Sequence, residues 1–296
     1  MHGDDFRPHP NLEPYLRTCD GFTFFDAGES NASTLLLIHG NGDEADSWRH
    51  VFTALSANHR VIALDLPGFG RSKPTGDGSI TNLAAGVQQL LESLQVTKGV
   101  HLVGSSLGAV VAAHVADNAP RLTRSLTIIG GSSPALGGLQ ANPALQPLLA
   151  VGTGEMYYTG LRQLGQEAAF ESLRPYYAAL DALPAVDLEF LRQRVWARVW
   201  SDSQRTAFFA GLRSLFSDGS SSDGSSSDAA PLELPEIPRL LVWGEADAIV
   251  PISHAHALQR QFPNATLEVI VGSGHLPQQE QPLELTRVLE NFLAQH

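Results

Sequence analysis

The chain alternates short apolar runs with longer segments in which apolar residues recur at helical spacing. The short runs are bounded by glycine, and several are apolar at consecutive positions, which is typical of parallel strands buried on both faces. We predict a strand in each of seven such runs: 21–28, 34–40, 60–68, 99–105, 124–131, 238–245 and 265–272. Strands that alternate with helices predict an α/β fold, with an open, mostly parallel sheet flanked by helices.

The alternation stops between about 131 and 234, where the sequence has helical periodicity and many aromatic residues but no clear buried strand. We therefore predict a core domain in two parts, 1–130 and 235–296, and a helical cap over 131–234. Its Ser/Asp/Gly-rich stretch 217–228 cannot bury apolar area and is predicted to be a mobile loop. A calcium loop is the alternative, but Asp223 stands where an EF-hand turn needs glycine.

Composition narrows the function classes. A net charge of −12 with only 19 Lys and Arg residues disfavours nucleic-acid binding. No apolar run approaches the length of about 20 residues that spans a bilayer, and the N-terminus lacks the apolar segment of a secretory signal. Cys19 is alone, and no CxxC or HExxH spacing predicts zinc. These features predict a cytoplasmic protein with a small-molecule substrate and no metal, nucleic-acid or membrane partner.

The stretch 104–108, GSSLG, fits G-x-S-x-G with Ser106 at its centre. It follows a strand pattern and precedes a helix pattern, which is the sharp turn that this motif requires. Centring the motif on Ser105 would instead put Val103 and Leu107 where small residues belong. The sequence therefore predicts Ser106 as a nucleophile.

A glycine-rich turn follows an earlier strand, at HGNG, residues 39–42. Such a turn can present a backbone N–H to the nucleophile, and the helix that begins after Ser106 can present another. We predict that the N–H groups of Asn41 and Leu107 form an oxyanion hole. A plain turn is the alternative interpretation of HGNG.

Two further polar residues follow predicted strands near the C-terminus. Asp247 follows the strand LLVWG, and His275 follows the last strand. Ser106, Asp247 and His275 occur in the chain order nucleophile, acid and base, and each lies at the carboxyl end of a strand, where open α/β sheets bind their ligands. Glu245 is the nearest rival to Asp247, but its place directly after Gly244 favours a role at the strand edge.

From about residue 15 to the C-terminus, the sequence resembles the α/β-hydrolase fold superfamily, in its serine-nucleophile branch with a helical cap. The resemblance rests on GSSLG, the HG turn followed by Trp48, DLPGFGRS at 65–72, WGEADAIVP and SGHLPQQEQP. It implies a cap inserted after the sixth strand, and it implies that His39 supports its loop and is not the base. The cap and the Ser/Asp/Gly-rich stretch match none of these motifs, so the resemblance implies nothing about the part that selects the substrate.

The resemblance implies two-step acyl transfer with a Ser106–Asp247–His275 triad and no cofactor. We expect a carboxylesterase for small to medium apolar esters, because the cap is rich in apolar side chains. Trp48, Trp196 and Trp200 are candidate substrate-binding residues, although Trp196 and Trp200, four positions apart on one helix, are also typical of core packing.

Other activities share this site. A carbon–carbon bond hydrolase would use the same triad, but those relatives commonly carry arginine where Ala246 stands. A cofactor-free perhydrolase or haloperoxidase would also use the same site. Enzymes of this fold with an aspartate nucleophile are disfavoured by Ser106. A non-catalytic ligand-binding member is the alternative from another class.

Overall fold

The computed structural model describes residues 6–132, 153–217 and 236–296. Eight strands within these ranges form one sheet in the order β1-β2-β4-β3-β5-β6-β7-β8. From β4 onward across the sheet, all neighbouring strands are parallel, whereas β2 pairs antiparallel with both β1 and β4. The strands are β1 Leu16–Cys19, β2 Phe22–Ala27, β3 Thr34–Ile38, β4 Arg60–Leu64, β5 Val100–Ser105, β6 Thr123–Ile129, β7 Arg239–Gly244 and β8 Thr266–Ile270.

Ten α-helices lie in the described ranges, together with short 3₁₀ helices at Glu13–Tyr15, Ala45–Trp48, Arg174–Tyr176 and Leu180–Ala182. The α-helices are α1 Phe52–Leu55, α2 Ile80–Ser93, α3 Leu107–Asn118, α4 Thr153–Leu164, α5 Gln166–Glu171, α6 Ala185–Trp200, α7 Asp202–Ser217, α8 Ser253–Gln261, α9 Pro277–Glu280 and α10 Pro282–Leu293. Ser79 caps the N-terminus of α2, because its side chain accepts a hydrogen bond from the N–H of Asn82.

Both faces of the sheet are buried. Leu36 and Ile38 of β3 pack with α2 and α3, whereas Leu35 and Leu37 pack on the opposite face with α1 and α10. Consecutive apolar residues in a strand point to opposite faces, so a continuous apolar run is required where helices cover both. The predicted fold class, an α/β protein with a mostly parallel sheet, is confirmed.

All seven predicted strands are present, but the sequence analysis missed β1. This strand is short and only half-buried, so it lacks the apolar pattern that marks the others. It joins β2 through Asp20 and Gly21, which both have positive φ, at 51° and 88°. An Asp-Gly turn is a strong hairpin signal, and it was the clue available in the sequence.

Helices α4 to α7 lie between β6 and β7, in the region predicted to be the cap, and we call the described residues 153–217 the cap. They have an apolar cluster of their own, built around Tyr158, Phe170, Leu191 and Val199. The exact domain boundaries stay a prediction, and residues 218–228 of the predicted mobile loop lie outside the described residues. In the ranges that the structure describes, no helix combines the length and apolar character that crossing a bilayer requires.

Candidate active site

Ser106 lies at a sharp turn between β5 and α3. Its φ and ψ are 54° and −117°, a conformation that non-glycine residues rarely adopt and that stores strain. The turn is possible because its neighbours lack side chains: a Cβ on Gly104 would lie 2.2 Å from the carbonyl oxygen of Gly108, and one on Gly108 would lie 2.2 Å from that of Ile38. This turn places the Ser106 side chain at the carboxyl edge of the sheet.

The two adjacent serines have different surroundings. Ser106 lines a pocket above the sheet. Ser105 is fully buried, and its hydroxyl oxygen accepts a hydrogen bond of 3.4 Å from the side chain of Gln278. Of the pair, only Ser106 is placed to meet a substrate.

Asp247 and His275 form a buried pair at the ends of β7 and β8. The distance from His275 Nδ1 to Asp247 Oδ2 is 2.8 Å. The other carboxylate oxygen of Asp247 accepts hydrogen bonds of 2.9 Å from the N–H groups of Ile249 and Val250. These contacts orient the imidazole, and Gly130 makes room for them because a Cβ there would lie 3.1 Å from both members of the pair.

The second ring nitrogen of His275 faces a different environment. His275 Nε2 is buried and has no hydrogen-bond partner among the described residues. His275 lines the same pocket as Ser106. The arrangement leaves one imidazole nitrogen available for proton transfer while Asp247 holds the other.

The segments that carry the two predicted oxyanion donors, the HG turn and the start of α3, lie next to each other at Ser106. A Cβ on Gly40 would lie 3.1 Å from that of Ser106, so the HG turn packs directly on the serine. Within the described ranges, no acceptor is found for the backbone N–H of Asn41 or of Leu107, the first residue of α3. These N–H groups are the type of donor that stabilises a developing oxyanion.

His39 holds the HG turn in place. Its Nε2 accepts a hydrogen bond of 2.9 Å from the N–H of Leu66, and its Nδ1 donates one of 2.8 Å to the carbonyl oxygen of Gly40. Burial lowers the pKa of His39, which favours the neutral ring that this pattern requires. His39 therefore links the HG turn to the segment that follows β4.

The cap and the core together line the pocket, which has a volume of about 120 Å³. Its lining is mostly apolar and aromatic on the cap side, and the polar groups lie near Ser106 and around Arg198. The lining residues from the cap include Tyr157, Tyr158, Leu161, Leu173, Tyr176, Tyr177, Leu191, Val195, Val199 and Phe208. Among the described residues, no group of three or more His, Cys, Asp or Glu is arranged to hold a metal ion.

The structure does not place the three predicted tryptophans at the pocket, so their predicted role in substrate binding is not supported. Trp48 is fully buried in the core beneath the sheet. Trp196 and Trp200 contact each other, with ring centroids 5.7 Å apart, and Trp200 is half-exposed at the end of α6. The face of α6 that reaches the pocket instead carries Val195 and Val199.

A set of buried charges joins the cap to the core beside the pocket, and we call it the interface charge cluster. Helix α6 supplies one part, and the segment after β3 supplies the other. Its members are Asp43, Glu44, Asp46, Arg49, Asp187, Arg194 and Arg198.

Arg198 bridges the two parts, because its guanidinium lies 2.7 Å from a carboxylate oxygen of Asp43 and 2.8 Å from one of Glu44. Arg49 and Asp187 form a second bridge of 2.7 Å between buried side chains. Burial alone raises the pKa of Asp187, but the hydrogen bond from His50 and the charge of Arg49 lower it to about 2. The sequence analysis missed this cluster because its members lie far apart in the chain.

Gln279 and Tyr177 also line the pocket with His275, and neither was predicted from the sequence. The Tyr177 hydroxyl donates a hydrogen bond of 2.9 Å to Gln279 Oε1, and Gln279 Nε2 donates one of 3.1 Å to the hydroxyl of Ser47. The available signal was the pair of glutamines close behind His275, in a segment that is otherwise typical of a surface helix.

Comparisons with known proteins agree with this architecture. A family model described as alpha/beta hydrolase fold matches residues 33–282. The chain belongs to the α/β-hydrolase family, and it is an enzyme.

Three curated relatives cover most of the chain. One is the dihydrolipoyllysine-residue acetyltransferase component of an acetoin cleaving system from Pseudomonas putida, 33% identical over 92% of this chain. The chain spans only 66% of that relative. A pimeloyl-[acyl-carrier protein] methyl ester esterase from Aeromonas hydrophila is 28% identical over 88% of this chain and 95% of its own length. A 2-hydroxy-6-oxononadienedioate/2-hydroxy-6-oxononatrienedioate hydrolase from Pseudomonas sp is 26% identical over 91% of this chain and 90% of its own.

A solved structure shows the same fold. A thermophilic esterase from Thermogutta terrifontis superposes with a TM-score of 0.73, at 23% identity, over 95% of this chain and 97% of its own. At this identity, the likeness concerns the fold alone.

Proposed function

We propose that the protein is a serine hydrolase that works through a covalent acyl-enzyme. The observation that carries the proposal is a serine at a strained strand-to-helix turn that shares a pocket with a buried histidine–carboxylate pair. Strain at a non-glycine residue clusters at functional sites, and the free ring nitrogen of His275 faces no competing partner among the described residues. Together these features match what a nucleophile and its base require.

In the first half of the proposed reaction, Ser106 Oγ attacks the carbonyl carbon of the substrate while His275 Nε2 takes its proton. Asp247 holds the imidazole in the tautomer with a proton on Nδ1 and stabilises the imidazolium that forms. The N–H groups of Asn41 and Leu107 donate to the oxyanion, and each is worth about 3 kcal/mol of the barrier. His275 then protonates the leaving alcohol, and the acyl group stays on Ser106.

In the second half, water replaces the alcohol. His275 takes a proton from the water as its oxygen attacks the acyl carbon, and the tetrahedral intermediate is held by the same two N–H groups. Collapse of the intermediate breaks the bond to Ser106 Oγ, which regains its proton from His275. The mechanism requires no cofactor.

The substrate that we propose is a small to medium, mainly apolar carboxylic ester. The apolar lining of the pocket favours uncharged groups, and its volume of about 120 Å³ favours short ones. The charge of Arg198 is matched by Asp43 and Glu44, so it offers little attraction to a carboxylate on the substrate. The methyl ester esterase among the relatives supports this class.

Hydrolysis of a carbon–carbon bond is the second candidate, because a relative of nearly equal coverage is named as an oxononadienedioate hydrolase. That reaction would use the same three residues. Ala246 stands where such relatives commonly carry arginine. The ester reaction is therefore preferred.

A series of p-nitrophenyl esters of increasing acyl length tests the proposal, with a vinylogous 1,5-diketone as the competing substrate. We expect hydrolysis that favours short chains and that is lost in Ser106→Ala, together with covalent labelling of Ser106 by a fluorophosphonate. Absence of both labelling and ester turnover in the wild type would sink the serine hydrolase proposal. Faster turnover of the diketone would replace the ester class with carbon–carbon bond cleavage.

A further inference from the structure

Glu280, the last residue of α9, connects two separate segments through its two carboxylate oxygens. Oε2 accepts a hydrogen bond of 2.6 Å from the N–H of Gly274 and one of 3.4 Å from the hydroxyl of Ser273. Oε1 accepts one of 2.7 Å from the N–H of Ala178 and one of 3.3 Å from that of Ala179. One oxygen thus holds the loop that carries His275, and the other holds an extended segment of the cap.

The same two segments touch through their backbones. The N–H of His275 donates a hydrogen bond of 2.8 Å to the carbonyl oxygen of Tyr176. A Cβ on Gly274 would lie only 2.6 Å from the N atom of Ala178, so the chains approach as closely as glycine allows. The rings of Tyr176 and His275 also lie 6.0 Å apart.

Different contacts determine the orientation of the imidazole and the position of the loop that carries it. Asp247 fixes the orientation of the ring, and the core holds the loop at Ser273, whose carbonyl oxygen accepts a bond from the N–H of Ala246. The backbone N–H groups of the next two residues, Gly274 and His275, donate instead to Glu280 and to the carbonyl oxygen of Tyr176 in the cap. The position of the ring above Ser106 therefore depends on Glu280 and on the cap as well as on the strands of the core.

We propose that Glu280 is a positioning residue for the base, acting through the His275 loop, and that it couples the placement of His275 to the seating of the cap. The proposal rests on the proposed function, because it assigns His275 the role of base. Proton transfer demands a donor and acceptor within hydrogen-bond reach, so a displacement of about 1 Å can cost about 100-fold in rate.

The substitution Glu280→Gln tests this with little change of shape. A carboxylate can accept from both segments, whereas a carboxamide keeps one acceptor oxygen and turns its NH₂ group toward N–H donors on the other side. We expect kcat for a short p-nitrophenyl ester to fall roughly tenfold or more with KM within about twofold. The control is Glu284→Gln, since Glu284 is exposed, pairs with Arg287 and is expected to leave both constants unchanged.

A double-mutant cycle separates positioning from a general structural role. In the Asp247→Asn background the imidazole is already misoriented, so Glu280→Gln is expected to cost less than about twofold there. Equal losses in both backgrounds, a rise in KM with kcat unchanged, or behaviour identical to Glu284→Gln would each overturn the proposal.

A second variant covers the case in which Glu280→Gln fails to fold. Glu280→Asp keeps the charge but is one methylene shorter, so it cannot reach both segments, and the same selective loss of kcat is expected. If Glu280→Asp keeps the wild-type kcat, the proposal is overturned. Wild type and Ser106→Ala are assayed alongside: turnover that depends on Ser106 upholds the hydrolase function whatever Glu280 does, and its absence rejects that function first.

Discussion

Ser106 and His275 line one pocket, but different parts of the molecule position them. The backbone N–H of Ser106 donates to the carbonyl oxygen of Ile129, at 2.9 Å, and the turn closes on core glycines. The backbone N–H of His275 donates to Tyr176 in the cap region, and Glu280 joins the same loop to Ala178. The nucleophile is built into the sheet, whereas the base lies where the core meets the cap.

The placements of Ser106 and His275 therefore depend on different parts of the fold. The turn at Ser106 is held by close backbone contacts with β3 and β6 of the same sheet, so it is in place once the sheet has formed. A loop held by a segment about 100 positions away is correctly placed only when that segment is also in place. Perturbing the cap should therefore affect the base more than the nucleophile.

The largest expected effect concerns the nucleophile itself. Ser106→Ala should lower kcat/KM by about 10⁴-fold or more, because the variant lacks the hydroxyl that is proposed to form the acyl-enzyme. Steady-state hydrolysis of a p-nitrophenyl ester measures this. Ser105→Ala is the matched control and should stay within about threefold of wild type, since that hydroxyl is buried away from the pocket. Comparable losses in the two variants would reject the assignment of Ser106.

The second prediction concerns a substitution in the interface charge cluster that should weaken the contact between the cap and the core. Asp187→Asn leaves the buried Arg49 without its partner and should lower the free energy of unfolding by about 3 kcal/mol at pH 7. Urea denaturation measures the change. Asp181→Asn is the control, because Asp181 is exposed and solvent screens its pair with Arg174, so little change in the free energy of unfolding is expected.

The pH dependence of that deficit follows from the lowered pKa of Asp187, about 2 in the folded protein against an ordinary value of 3.8. A carboxyl whose pKa is lowered by folding stabilises the protein above its unfolded pKa, and this contribution is lost as the pH falls through the folded value. The deficit of Asp187→Asn should therefore be complete at pH 7 and shrink between pH 3.8 and about 2. A deficit that stays constant over this window would contradict the ion-pair explanation.

The third prediction concerns a substitution that should displace the loop of His275 and leave the turn at Ser106 in place. Gly274→Ala puts a Cβ 2.6 Å from the N atom of Ala178, so the His275 loop must move. We expect kcat to fall roughly tenfold to 100-fold, with the fold intact by circular dichroism. Gly160→Ala is the control, because nothing lies within 4 Å of the added carbon. A wild-type kcat in Gly274→Ala would show that the close approach to the cap does not position the base.

The smallest effect tests the corrected pocket lining. Trp200→Ala removes a half-exposed ring outside the pocket and should leave KM within about twofold. The adjacent Val199 is buried and lines the pocket, so Val199→Ala should shift the preferred acyl chain toward longer esters. A profile of KM against chain length distinguishes the two. The opposite pattern would return Trp200 to the substrate site.

The sequence predicted those features that depend on neighbours in the chain. Continuous apolar runs predict the buried parallel strands, and GSSLG between a strand and a helix predicts the strained turn at Ser106. The pairing of Asp247 with His275 was predictable because both follow strands that prove adjacent and parallel. A residue's position at the end of a strand can be recognised from the local sequence, and residues at the carboxyl ends of neighbouring parallel strands lie close together in the sheet.

Features that depend on tertiary packing were missed. Trp48 follows the HG turn closely in sequence, yet it ends the 3₁₀ helix Ala45–Trp48 and is buried in the core beneath the sheet, outside the pocket lining. Nothing local distinguishes the pocket face of α6, which carries Val195 and Val199, from the face with its tryptophans. Glu280 likewise matches a surface helix residue until the fold brings Ala178 beside it.

The interface charge cluster also bears on how this enzyme can be altered. A chimera whose grafted cap lacked counterparts of Asp187, Arg194 and Arg198 would leave Arg49 and Glu44 without charged partners, and a buried charge without a partner costs several kcal/mol. Exchange of the cap therefore requires matched substitutions in the segment after β3. The cap of this protein therefore cannot be exchanged by itself. A change of specificity by cap exchange must transfer residues 43–49 together with α6.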